Sequence, residues 1–306
     1  MAKKKPLNPI EASYEAPDPA TLPKAADRVI KYLSPSALIC LEKTPVEFFF
    51  RYINGARPTF EQTRPMAYGS FFDMRVKELL ALRQPGKFKA ASYAWQKSVD
   101  KAYHGDMDMK RTCMKLATAY VDGPPGAHLK KHKPVIMEGT PAVVDIGGVP
   151  VYGKVDVQTS EPRILDFKVS GSCSNAYPVV GYVDGWYFDL NTGEWERIGA
   201  HNKTKSVIDS HDDWALQLTT YDMIRTGGAA LNKKSPIGID QVSFHPNGRI
   251  AFTHLREEIP CEFKKEVVSR HQSAWRRILR AEVIPKELRG MPVDQLDLLR
   301  GQIRKW

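Results

Sequence analysis

Between Pro134 and Val169 the hydrophobic pattern changes period, and no other feature of the chain constrains its fold as tightly. Residues 134–138, 142–146, 149–157 and 164–169 are runs rich in Val and Ile, separated by Gly, Pro, Ser and Thr. β-Branched side chains suit the pleated surface of a sheet and the separators are turn formers, so the segment predicts successive strands. On both sides apolar residues recur at helical spacing instead: from Ser34 to Tyr52, from Pro65 to Leu82, through residues 90–133, from Trp214 to about Thr226, and from about Glu262 to Ala281. Strands enclosed by helices predict an α/β fold, a central mixed β-sheet flanked by helices, with residues 241–244 and 250–252 adding a hairpin to the same sheet.

Local signals set the boundaries. Ser34-Pro35 pairs a capping hydroxyl with a proline at the first helical position, and Pro45 must kink or divide the helix that follows. On the second helix Gly69 and Asp73 lie one turn apart, beside a stripe of Phe72, Val76, Leu79 and Leu80. Asp212 or Asp213 caps the helix that Gly227-Gly228 stops, and on it Gln217 and Tyr221 share a face. The last helix turns Phe263, Val267, Ala274, Trp275 and Ile278 inward, with Lys264, Lys265, Arg276, Arg277 and Arg280 outward or at its margins. Residues 1–25, with Lys3, Lys4 and Lys5 and many Pro and Ala, read as a flexible basic arm ahead of a single domain over 26–306. Within that domain, 172–212 is rich in aromatics and holds a hairpin, Trp186–Leu190 turning at Asn191-Thr192-Gly193 into Trp195–Ile198. Residues 262–306 form a basic helical region.

Composition narrows the function. No apolar run approaches membrane-spanning length, and the four cysteines, Cys40, Cys113, Cys173 and Cys261, form no CxxC pair that would hold zinc. The simplest home is a reducing cytosol. Neither common glycine-rich phosphate loop is present. The 45 Lys and Arg against 35 Asp and Glu give a net charge of +10, which suits a polyanionic partner. The charge is concentrated: residues 264–306 carry eleven basic and five acidic residues. His201, His211, His245 and His254 show no ligand spacing and read as surface or capping histidines.

One constellation carries chemistry. A chain reversal at Thr159–Pro162 brings Asp156 to the same edge as Asp166 and Lys168, which alternate across Phe167 and so share a face. Two carboxylates can hold Mg²⁺ or Mn²⁺ through hard oxygen ligands, and a lysine beside them can stabilise developing phosphate charge. The plainer reading is a solvated strand in which Asp166 and Lys168 are ordinary same-face neighbours.

Four ordered pieces resemble the PD-(D/E)XK nuclease superfamily, in its RecB-type and lambda-exonuclease-like branch. Leu33-Ser34-Pro35-Ser36 with Thr44-Pro45-Val46-Glu47-Phe48 is similar to the N-terminal helix motif, and Gly69–Asp73 to a Gly-x-x-x-His segment. Gly153–Asp156 with Leu165–Gly171 is similar to the catalytic core, and Gln217–Tyr221 to the Gln-x-x-x-Tyr helix. The resemblance implies a restriction-endonuclease-like core in which Asp156 and Asp166 bind metal, the Phe167 carbonyl adds a ligand and Lys168 is the catalytic lysine. Gln217 and Tyr221 would stand beside the site, with Tyr221 and Ser34 on DNA together with the basic face of Arg276, Arg277 and Arg280. Asp73 stands where relatives have His and is either a metal ligand or a helix-surface charge. Glu138 is either a further acidic position of the family or an exposed edge-strand glutamate. No iron–sulfur cluster is expected, since Thr44 precedes Pro45 where cluster-bearing relatives have Cys. About 48 residues separate Lys168 from Gln217, so the aromatic hairpin reads as an insertion over the active-site side. The implied activity is divalent-metal-dependent DNA hydrolysis, exonucleolytic, in phage or bacterial recombination, repair or replication. The implied partners are DNA, as a duplex end or a single strand, and a single-strand annealing or replication protein, with no membrane. The alternatives are a non-catalytic DNA-binding or assembly protein on the same scaffold, and an endonuclease or RNase of the same fold.

Overall fold

A computed structural model describes residues 24–25, 28–53, 64–84, 86–87, 107–137, 139, 141–161, 163–170, 184–198, 206–228, 231–244, 249–280, 282–289, 291 and 295. Glu138, His201, His245 and residues 172–183 of the aromatic segment therefore lie outside the described residues, as does most of the N-terminal arm.

Short strands β1 (Lys24–Ala25) and β2 (Arg28–Val29) pair ahead of the first helix, α1 (Pro35–Lys43). Ser34 caps α1 as its sequence predicts, its Oγ accepting from the Ala37 N–H at 3.2 Å. Pro45 divides the helical stretch: α1 ends at Thr44, and α2 (Pro45–Phe48) continues into a wide π-turn over Phe49–Ile53. Next come α3 (Arg64–Leu82), α4 (Met107–Asp122) and α5 (Ala127–Lys131). The strands follow: β3 (Pro134–Met137), β4 (Ala142–Asp145), β5 (Pro150–Gly153), β6 (Val157–Thr159), β7 (Ile164–Ser170), β8 (Asp184–Asp189) and β9 (Trp195–Ile198). Helices α6 (Val207–Ser210) and α7 (Asp212–Arg225), strands β10 (Ser235–Phe244) and β11 (Arg249–Ile259), and α8 (Cys261–Leu279) complete the fold.

The main sheet has seven strands in the order β3-β6-β7-β10-β11-β8-β9, mixed because β10 runs parallel to β7 and every other pair is antiparallel. Each face carries a core. Ile164, Ile237, Ile239 and Leu255 point to one that also holds Leu38, Leu216, Ile224, Phe263 and Ile278, so α1, α7 and α8 cover this side. Leu165, Phe167, Val242 and Phe252 point to the other, with Phe72, Val76, Met109, Leu116 and Tyr120 of α3 and α4. Period-2 alternation along β7 thus supplies both layers, and the α/β architecture is the one the sequence predicts.

The structure corrects four expectations. The run 149–157 is two strands, since the chain leaves the β4–β5 hairpin at Gly153 and enters the main sheet only at Val157. That hairpin is a separate two-stranded sheet, held by a bridge from Leu33 to Val151. The aromatic hairpin β8–β9 does not cover the β7 side: it is the outer edge of the main sheet, paired to β11, with Phe188 and Trp195 packed on Phe252. Lys264 does not face solvent, being fully buried with its ammonium 3.2 Å from Asp222.

Candidate active site

Antiparallel pairing of β6 and β7 sets Val157 opposite Leu165, so Asp156, one residue before the ladder, stands level with Asp166. Asp166 and Lys168 occupy the face of β7 that Ile164 shares with the α7 side. Asp166 is buried, and the Lys168 ammonium lies 2.6 Å from its Oδ2. That oxygen is buried and accepts no aligned hydrogen bond among the described residues. Asp156 is one-third exposed and opens the cluster to solvent.

Two further elements reach this edge. From α3, Asp73 approaches with Lys77 one turn later; the Lys77 side chain is only 5% exposed, its Nζ 2.8 Å from Asp73 Oδ2 and 3.5 Å from Asp156 Oδ1. From α7, Gln217 Nε2 donates to the Tyr221 hydroxyl at 3.2 Å, as their four-residue spacing allows. Trp214 on the same helix lies under Lys168, whose Nζ is 5.7 Å from the ring centre, and its ring stacks on His211 at 4.0 Å.

Burial and charge crowding tune these groups. Burial raises the Asp73 carboxyl to about 6, and Lys77 only partly offsets it while Asp156 and Asp166 add to the rise. Burial likewise raises Asp166, with Lys168 pulling the other way. Burial alone would lower the Lys77 ammonium, but Asp73 and then Asp156 reverse the sign and hold it above its usual range. The Tyr221 hydroxyl is pushed up, mainly by burial. Burial is thus the leading cause for Asp73, Asp166 and Tyr221, whereas at Lys77 the neighbouring carboxylates outweigh it.

The residues fit a hard divalent cation. All candidate donors are oxygens, the buried Asp166 Oδ2 accepts no aligned hydrogen bond among the described residues, and an ammonium already stands between Asp73 and Asp156. The Phe167 carbonyl lies on the same strand between Asp166 and Lys168. Of the residues singled out in the sequence, Asp73, Asp156, Asp166, Lys168, Gln217 and Tyr221 converge. Ser34 caps α1, and Arg276, Arg277 and Arg280 lie at the C-terminal end of α8. Lys77 and Trp214 are the residues sequence reasoning missed. The Asp73–Lys77 spacing was visible, but an i,i+4 acid–base pair ordinarily decorates a solvated helix face.

His254 is also placed differently from its expected surface or turn position. It is buried mid-strand on β11, with His128 and Asp240, on the opposite face of the sheet from Asp166. Its Nδ1 is 2.5 Å from Asp240 Oδ1, and the Arg256 guanidinium stands in the centre, 2.6 Å from Asp240 and 2.9 Å from His128 Nε2. The Tyr120 hydroxyl donates to the other Asp240 oxygen. Burial alone would raise Asp240, but Arg256 and the two histidines outweigh it and hold the carboxyl well below its usual range. Its counterion is Arg256, so this cluster is an internal salt bridge that supports the β10–β11 pair.

Residues 32–178 match the family model of the PD-(D/E)XK nuclease superfamily. Among solved structures, the chain is similar to the crystal structure of a protein from Eubacterium rectale described as a candidate exonuclease. Identity is 13% and the TM-score 0.50, over 87% of this chain and 92% of that one, which speaks to the fold alone. No curated protein matches the chain. Asp73, Asp156, Asp166 and Lys168 all fall inside the matched stretch, just under half of the chain, and the match supports a metal-dependent nuclease of the PD-(D/E)XK superfamily.

Proposed function

We propose that the chain is a DNA exonuclease working with Mg²⁺ or Mn²⁺, of the RecB-type and lambda-exonuclease-like branch, in recombination, repair or replication of phage or bacterial DNA. The observation that carries this reading is the meeting of Asp156, Asp166 and Lys168 at one sheet edge with Gln217 and Tyr221 arriving from α7. Asp156 and Asp166, with Asp73 beside them and the Phe167 carbonyl, would hold the metal. When bound, the ion would acidify water and neutralise charge developing on the phosphate. Lys168 keeps a fixed positive charge beside the attacked phosphate, and Trp214 limits where its ammonium can swing. Gln217 and Tyr221 offer an amide and a hydroxyl to the phosphodiester backbone. Glu138 remains a candidate further acid, and a single-strand annealing or replication protein a candidate partner. Among the described residues no helix is long and apolar enough to cross a membrane.

The test is digestion of end-labelled linear duplex, single-stranded and closed-circular DNA in Mg²⁺, Mn²⁺ or EDTA. Linear DNA should be degraded from its ends only with metal, and Lys168→Ala should slow this about 10²-fold or more. Asp166→Ala should abolish cleavage while leaving low-salt DNA binding largely intact. Cleavage of closed circles would make the chain an endonuclease, and binding of DNA with no cleavage of any substrate would favour a non-catalytic scaffold protein.

A further inference from the structure

We propose that Lys77 is the site's built-in cation: its ammonium fills the place between Asp73 and Asp156 in the metal-free protein, and by competing for those carboxylates it sets how much divalent metal the site requires. The inference rests on the reading of Asp156 and Asp166 as the metal-binding edge.

An i,i+4 acid–base pair on a helix is ordinarily hydrated and gains little. Lys77 differs in two respects. It is carried inward on α3 between Val76 and Leu80, and its Nζ reaches Asp156, a carboxylate outside its own helix, at 3.5 Å as well as Asp73 at 2.8 Å. A buried ammonium is costly unless well paired, and so are three crowded carboxylates without a counter-charge. Each side of this pairing makes the other tolerable. Lys168 already lies 2.6 Å from Asp166, so Lys77 serves the remaining two acids.

Loading a divalent ion changes this balance. The ion draws on the same oxygen lone pairs that the Lys77 N–H groups now hold, and it puts two positive charges beside a buried third. Lys77 must yield Asp73 and Asp156, or the ion must bind with that repulsion in place. Either way the lysine weakens metal binding while it stabilises the metal-free site. A purely structural lysine would not behave so, since its removal would destabilise both states and strengthen binding of nothing.

The experiment is calorimetric titration of the full chain with Mn²⁺, paired with thermal melts in EDTA and in saturating Mn²⁺. It compares native protein, Lys77→Met, Lys77→Arg and Asp156→Asn. Methionine keeps the buried stem and removes the charge; its variant should bind Mn²⁺ about tenfold more tightly or better and melt lower in EDTA. Mn²⁺ should restore most of that melting loss. Arginine keeps a cation, so its variant should bind no more tightly than native. Mn²⁺ affinity of Lys77→Met equal to or below native would overturn the proposal. If Lys77→Met folds only with Mn²⁺, the proposal stands; if it folds in neither condition, Lys77→Arg decides, and tighter binding by that variant overturns it. Asp156→Asn separates the two levels. Undiminished Mn²⁺ binding there would overturn the metal-site reading itself, whereas lost binding there with unchanged affinity in Lys77→Met would overturn only the role of Lys77.

Discussion

At Gly153 a Cβ would stand 2.5 Å from Ile224 Cδ1 and 3.2 Å from the Tyr221 ring, because α7 lies directly on β5. The absence of a side chain there allows the helix bearing Gln217 and Tyr221 to approach the strands that lead into Asp156. Gly153→Ala should therefore push Ile224 Cδ1 aside within the core and crowd the Tyr221 ring, costing about 1–3 kcal/mol of stability, read as a lower denaturant midpoint. An unchanged midpoint would mean that Ile224 gives way freely. Gly69, one turn before Asp73 on α3, is not crowded in this way. A Cβ there would lie 3.9 Å from that of Val169, an ordinary contact. Gly69→Ala should be neutral or stabilise α3 by up to about 1 kcal/mol, because alanine is the better residue in a helix interior. The same substitution thus has opposite expected signs at two glycines near one site.

Helix α7 presents Trp214, Gln217 and Tyr221, and a polar seam fixes it to α8. Lys264 and Ser235 both reach Asp222, Arg270 joins Asp212 to Glu42 of α1, and the His271 ring nitrogen lies 3.3 Å from Thr220 Oγ1. His271 is fully buried, and burial, reinforced by Arg270, lowers its pKa to about 4. The unfolded chain, titrating near 6.5, takes up this proton first, so the contribution of neutral His271 is intact above about pH 6.5 and is lost as pH falls toward 4. The loss should reach about 2–3 kcal/mol at pH 4–4.5. Asp73 acts in the opposite sense: with its carboxyl raised to about 6, its ionisation costs the fold stability as pH rises between about 4 and 6. Urea unfolding of native protein and His271→Gln at pH 7 and 4.5 isolates the histidine; a native-to-variant difference that does not change with pH would sink the assignment. How much of each element the sequence disclosed follows the range of its signals. The cap at Ser34, the break at Pro45 and the alternation along β7 depend on neighbours in sequence, and they read correctly. The split of 149–157, the edge position of β8–β9 and the burial of Lys264, His254 and Lys77 depend on which segments pair and pack in three dimensions rather than on neighbours in sequence. No local pattern marks Lys77 as belonging to Asp156, 79 residues on.

Over the whole molecule the net charge of +10 overstates what a polyanion meets. Six of those ten charges come from residues 264–306, yet within that stretch Lys264 is buried against Asp222 and Arg270 is tied to Glu42 and Asp212. These two cations neutralise internal acids and hold helices together, so they have no counterions to exchange for phosphates. Arg276 and Arg280 are exposed and Arg277 is half-buried, one turn and more beyond that seam at the end of α8; Arg280 lies 3.9 Å from Glu282, an exposed pair that phosphate can displace. Two groups of basic residues on one helix should therefore behave differently. Neutralising Arg276, Arg277 and Arg280 to Gln should flatten the dependence of log affinity on log salt by up to about 3, since each lost phosphate contact removes about 0.9 from the slope on duplex DNA. Neutralising Lys264 should leave the slope unchanged but lower the melting temperature, because Asp222 loses a buried partner. Anisotropy of labelled DNA, titrated in EDTA so that no strand is cut and repeated from 50 to 200 mM salt, reads both slopes. An unaltered slope in the triple variant would place the DNA path away from the end of α8, and the positive charge that draws DNA would then have to lie on the strands and helices nearer Lys168.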